Sequence, residues 1–67
     1  MYKLFIKIKD DPSKAQKIME DLNWNYSITG SNLYLYDENK SLLQKRAGWL
    51  VHKAKNCKFG CTWRITI

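Results

Sequence analysis

Cysteine and histidine are scarce in this chain, and their scarcity excludes several classes of protein. The two cysteines, Cys57 and Cys61, are too few for a scaffold built on disulfides, so the composition fits a reducing compartment. Together with the single histidine, His52, they offer at most three soft ligands, and no second pair completes a tetrahedral metal site. We therefore expect no metal ion, and we expect both cysteines to be free thiols.

Long apolar runs and catalytic motifs are also absent. No stretch approaches the roughly 20 apolar residues that cross a bilayer, and no apolar leader precedes the first alternating segment, so we expect a cytoplasmic protein. The chain has no glycine-rich nucleotide loop and no nucleophile motif. The adjacent carboxylates Asp10–Asp11 and Glu20–Asp21 have local roles near helix ends, where neighbouring side chains point apart. The sequence predicts a binding protein without a cofactor, not an enzyme.

Acidic residues are missing from the second part of the chain. Up to Asn39 there are five lysines against six acids, a balance of −1. From Lys40 onward there are seven basic residues and no acid, a balance of +7. Such a one-sided positive field attracts phosphate polyanions and raises encounter rates. The pattern favours nucleic acid as the partner, and the alternative is a surface that only keeps the protein dissolved.

Four segments alternate apolar and polar side chains with the period of two that is typical of β-strands. They are residues 1–9, 24–29, 32–36 and 61–67. Gly30 and Ser31 separate the middle two segments and predict a tight hairpin turn. A loop over residues 55–60 is expected before the last segment, because Gly60 favours a turn there.

Two segments between these strands have helical spacing of their apolar residues. The first is capped by Asp11, has Pro12 at its first position, and should end near residue 22 or 23. The second begins around residues 37–39 and runs to about Asn56. Both helices therefore present one apolar stripe to a sheet.

The order of these segments along residues 1–67 predicts the fold of a single domain. Strand, helix, strand, strand, helix, strand is the order of a ferredoxin-like α+β sandwich, with two helices on one face of an antiparallel sheet. The right-handed crossover rule places the first and third strands at the centre. The other face of the sheet is then left without a covering element.

That other face is expected to be both aromatic and basic. Its members are Lys3, Phe5, Lys7, Lys9, Tyr34, Tyr36 and Arg64. Cations bind phosphates, and ring faces stack unpaired bases for about 1–3 kcal/mol each, as single-stranded nucleic acid requires. Aromatic pairs across strands also stabilise a sheet without any ligand. Base stacking and structural pairing are therefore both open for the three rings.

This arrangement is similar to the RNA-recognition-motif family, which has the same order of elements and stacks bases on aromatic residues of its first and third strands. Phe5, Tyr34 and Tyr36 occupy the corresponding positions of this chain. The family's third-strand motif is a basic residue, glycine, aromatic, small, aromatic, and residues 31–36 keep only its alternate aromatics. The resemblance implies single-stranded RNA as the ligand.

A second candidate surface lies on the later helix. Helical geometry places Trp49 and Leu42 off the apolar stripe, beside the cations Lys45, Arg46 and Lys53. The cations are expected to contact phosphates, whereas Trp49 either covers a sheet edge or anchors a protein partner. We expect an RNA-binding module, as a monomer or homodimer. The alternative is a small inhibitor or adaptor, resembling phage-encoded modulators of host defence or toxin enzymes, acting alone or together with RNA.

Overall fold

A four-stranded antiparallel sheet carries two helices on one face in the computed structural model, which describes all 67 residues. The elements are β1 (Tyr2–Ile8), α1 (Pro12–Leu22), β2 (Tyr26–Thr29), β3 (Asn32–Asp37), α2 (Lys40–Lys53) and β4 (Phe59–Thr66). The strand order is β2-β3-β1-β4, so the first and third strands are central. The predicted ferredoxin-like α+β sandwich is confirmed. Neither helix is long and apolar enough to span a bilayer.

Alternate residues of the two central strands form the floor of one hydrophobic core. Leu4 and Ile6 of β1 and Leu33 and Leu35 of β3 are fully buried. The helices cover them with five buried side chains, Ala15, Met19, Leu43, Ala47 and Leu50. Burying a large aliphatic side chain stabilises a fold by about 1.5–3 kcal/mol relative to exposing it. The apolar face of each central strand therefore decides on which side the helices pack.

Local hydrogen bonds set the ends of α1 where the sequence predicts them. The Asp11 carboxylate accepts a hydrogen bond of 3.0 Å from the backbone N–H of Ser13, and Pro12 is the first helical residue. At the other end, Asn23 has a left-handed φ of 58°, and its N–H donates to the Met19 carbonyl at 3.0 Å. Both signals are local in sequence, which is why they are readable without the structure.

The connection from α2 to β4 differs from the prediction. The helix ends at Lys53, with Ala54 already extended, and the strand begins at Phe59. Phe59 pairs with Ile8 and is 8% exposed, and Cys57 before it is also buried. The chain leaves the helix early because these two side chains fill the end of the core. The expected loop over residues 55–60 therefore loses its last two residues to the strand.

A bulge in β4 accompanies this earlier start. Ile6 pairs with Trp63 and Ile8 pairs with Phe59, so β1 advances two residues while β4 advances four. The two extra residues lie in the stretch that contains Cys61 and Thr62, both of which are exposed. Beyond the bulge, regular pairing with β1 continues to Thr66.

Replacing Gly30 or Gly48 by alanine should change stability in opposite directions. Gly30 has a φ of +59° in the β2–β3 turn, whereas Gly48 lies within α2 and a Cβ there meets no atom within 4 Å. Gly30→Ala should lower the free energy of unfolding by about 1–2 kcal/mol. Gly48→Ala should raise it by about 0.5–1 kcal/mol. Urea unfolding measures both changes, and a stabilising Gly30→Ala would contradict the turn geometry.

Candidate nucleic-acid interface

The face of the sheet turned away from the helices is called the open face here. Phe5 lies at its centre, directly opposite Tyr34 of β3 on one side and Arg64 of β4 on the other. Lys3 is opposite Tyr36, one pair further along the same strands. Residues directly opposite one another in antiparallel strands project from the same face. These five predicted residues are therefore brought together.

Lys7 and Lys9 extend the open face at its other end. Lys7 pairs with Asn32, and its side chain projects beside Gly60 of β4. The Lys9 side chain lies across the same glycine, with its Cε 3.4 Å from the position that a Cβ of Gly60 would take. The Lys9 stem therefore lies over the sheet within van der Waals range of Gly60. All seven predicted residues share one surface.

Two of the rings already pack on each other. The centroids of Phe5 and Tyr34 are 5.5 Å apart with an interplanar angle of 42°, and both side chains are half-buried. The Lys3 ammonium lies 5.4 Å from the centroid of the Tyr34 ring, within cation–π range. The structural pairing considered from the sequence is therefore present. The parts of both rings that face outward still offer a π-surface to a ligand.

No carboxylate belongs to the open face. Asp37 is the nearest strand acid in sequence, but it pairs with Tyr2 and projects on the helix side. Only two ion pairs form in the molecule, Lys14 with Asp10 and Arg46 with Asp37. The four open-face cations are exposed and have no carboxylate within 4.0 Å; they are Lys3, Lys7, Lys9 and Arg64. Their charges therefore add to one positive field.

The cations of α2 lie in the other layer of the sandwich. Arg46 is 19% exposed, and its Nη1 lies 3.4 Å from the Asp37 carboxylate. Its guanidinium carbon is 4.8 Å from the centroid of the Trp24 ring. Lys45 and Lys53 are exposed on the same helix. Any contact of these three cations with nucleic acid needs a second surface, because α2 and the open face are on opposite sides of the sheet.

Trp49 and Trp24 form an edge-to-face pair beside that arginine. Their ring centroids are 5.9 Å apart at an interplanar angle of 74°. Trp49 is 38% exposed, and Leu42, two turns earlier on α2, is half-buried. The sequence does not predict the contact between Trp24 and Arg46. Trp24 belongs to the second alternating segment, but in the structure it precedes β2, which begins at Tyr26. No local spacing connects two residues this far apart in the chain.

The two cysteines have different surroundings and are both free. Cys57 is buried, and its Sγ lies 3.8 Å from the Lys58 carbonyl oxygen. Burial raises the pKa of the Cys57 thiol, and the negative charge of Asp10 raises it further. Cys61 is exposed in the bulge of β4. The described side chains of His, Cys, Asp and Glu form no group of three that could hold a metal ion.

Comparison with known proteins gives no information about function. No protein-family model, no curated protein and no solved structure matches the chain.

Replacing Arg46 by alanine should destabilise the fold, whereas replacing its neighbour Lys45 should not. Arg46→Ala removes the ion pair and the cation on Trp24, with an expected loss of about 1–2 kcal/mol in the free energy of unfolding. Lys45→Ala should change it by less than about 0.5 kcal/mol. Chemical denaturation followed by tryptophan fluorescence measures both. Equal effects would show that the Arg46 contacts contribute nothing.

Alkylation should distinguish the two thiols. In the native protein iodoacetamide should modify Cys61 alone, because Cys57 is buried and its raised pKa keeps the thiol protonated. In denaturant both cysteines should react. Intact-mass spectrometry counts the adducts, and equal labelling rates in the native state would contradict the burial of Cys57.

Proposed function

We propose that this chain is a small, non-catalytic module that binds single-stranded nucleic acid, preferentially RNA, on its open face. The supporting observation is the presence of exposed, unpaired cations around half-exposed rings on a surface with no carboxylate. With Cys57 and Cys61 both free, we further propose that it works in the reducing cytoplasm.

The spacing of the outward side chains of β1 suits a ligand in which charged groups alternate with rings. Side chains on one face of a strand repeat every ~6.7 Å, so Phe5 has Lys3 on one side and Lys7 on the other. Phosphates bound by the lysines would leave the intervening base next to the Phe5 and Tyr34 rings. Bases inside a duplex are already stacked on each other, so exposed rings favour an unpaired strand.

Small polar side chains at one margin of the open face support RNA over DNA. Ser27 of β2 lies opposite Tyr34, and Thr29 lies opposite Asn32. Their hydroxyl and amide groups both donate and accept hydrogen bonds, as does the ribose 2′-hydroxyl that distinguishes the two nucleic acids. This margin is therefore the proposed contact for the ribose.

Substitutions at Tyr34 should separate base stacking by the ring from any role of its hydroxyl. Tyr34→Leu should weaken binding to a fluorescent mixed-sequence single-stranded RNA by roughly 5- to 150-fold, the equivalent of about 1–3 kcal/mol per stacked base. Tyr34→Phe keeps the ring and should retain the affinity. Fluorescence anisotropy at low salt gives the dissociation constants of both variants, and circular dichroism verifies that each variant is folded.

Two charge variants complete this experiment. Lys7→Gln should reduce the slope of log affinity against log salt by about 0.7, because one phosphate contact is lost. Lys40→Gln removes the same charge from α2, in the opposite layer, and should leave affinity and slope unchanged. The proposal fails when the wild-type chain does not bind RNA at low salt, or when Tyr34→Leu and Tyr34→Phe behave alike.

The exposure of Trp49 supports a second candidate function, a small inhibitor or adaptor that docks an acidic protein. Exposed tryptophans surrounded by cations are common anchors at interfaces, and Leu42, Lys45 and Lys53 flank this one. A modulator of a host defence or toxin enzyme, as phages encode, is a protein of this type. Trp49→Ala would abolish such docking and leave the RNA affinity of the open face intact.

A further inference from the structure

A groove of about 620 Å³ lies at the end of the molecule where β1 leads into α1. One wall is the outer side of α1, and the other is the segment between α2 and β4. Its charged lining consists of four lysines and two aspartates, a balance of +2; they are Lys14, Lys17, Lys55, Lys58, Asp10 and Asp21. No aromatic ring lines it, so it offers charge without a stacking surface.

Most of the positive charge in this groove is unpaired. Lys14 forms the one ion pair, 3.6 Å from the Asp10 carboxylate. The backbone N–H of Asp11 donates to that carboxylate at 2.8 Å and lowers its pKa, so Asp10 stays ionised and neutralises Lys14. Lys17, Lys55 and Lys58 are exposed and have no carboxylate within 4.0 Å. These three ammonium groups, against the single carboxylate of Asp21, leave a balance of +2 to attract an anion.

The groove begins where the open face ends. Lys9, the last cation of the open face, donates its backbone N–H to the carbonyl of Lys58 at 2.9 Å. Asp10, the next residue, already lines the groove. The lysines of the open face are therefore followed, around this end of the molecule, by the lysines of the groove. A chain of phosphates leaving the open face beside Lys9 meets these lysines next.

We propose that the groove binds the phosphate backbone of the same RNA strand after it leaves the open face, so that the footprint extends onto the helix side. This inference rests on the proposed function. Lysines bind phosphates as flexible point charges, and the lack of a ring in the groove means that no base is read there. The groove therefore adds affinity for longer strands without adding sequence preference.

The test of this proposal varies the length of the RNA together with the charge of the groove. The groove variant carries Lys17→Gln and Lys58→Gln, one substitution on each wall. The control variant carries Lys40→Glu at the start of α2, which lowers the net charge by the same two units. Each protein is titrated with single-stranded RNA of about four and about twelve nucleotides, which brackets the footprint of a small sheet. Anisotropy is measured over a series of salt concentrations.

The groove variant should lose affinity for the longer RNA only. Two lost phosphate contacts lower its salt slope by about 1.4 and its affinity at 0.1 M salt by roughly 10- to 30-fold. Its affinity for the short RNA and both affinities of the control variant should match those of the wild-type chain. Circular dichroism establishes that the variants are folded.

Three outcomes overturn the inference. In the first, the groove variant binds the longer RNA as tightly as wild type. In the second, its affinity falls equally for both RNA lengths. In the third, the control variant loses as much affinity for the longer RNA as the groove variant does. In each case the short RNA still reports the open face through Tyr34→Leu, so the proposed function is judged separately. Failure of the wild-type chain to bind either RNA rejects the proposed function together with the inference.

Discussion

Complete burial of the apolar side of β1 determines how the rest of the molecule is arranged. Leu4 and Ile6 have no exposed surface, so both helices must pack on their side of the sheet. Because successive strand residues point to opposite faces, the same constraint forces Lys3, Phe5 and Lys7 outward. A slip of one residue in the pairing of β1 would bury the lysines. Core packing and the basic face thus have a single cause.

The parts of the fold that the sequence predicted are those with local causes. The cap at Asp11, the end of α1 near Asn23 and the turn at Gly30 each depend on a few neighbouring residues. The alternation of the central strands likewise predicted which residues share the open face. The start of β4 escaped prediction because it depends on Phe59 pairing with Ile8, about fifty positions earlier in the chain.

The helix layer shows why residue type alone overstates a binding surface. Arg46 belongs to the basic half of the sequence, yet it packs over Trp24 and pairs with Asp37. Charge composition counts such a group with the free cations, although its field is largely neutralised by the neighbouring carboxylate. The lysines of β1 have no such neighbour. The positions of the acidic residues therefore distinguish the two surfaces better than the number of basic residues does.

The bulge in β4 has an even number of extra residues, and this parity matters for any change in length there. Phe59 before the bulge and Trp63 after it pair with Ile8 and Ile6, so both project toward the helices. Adding or removing two residues between them would keep the same strand positions facing the helices. An odd insertion would exchange the inward and outward positions of the whole terminal half-strand and direct Arg64 into the core. An insertion of two residues in this segment is therefore expected to disturb the strand less than an insertion of one.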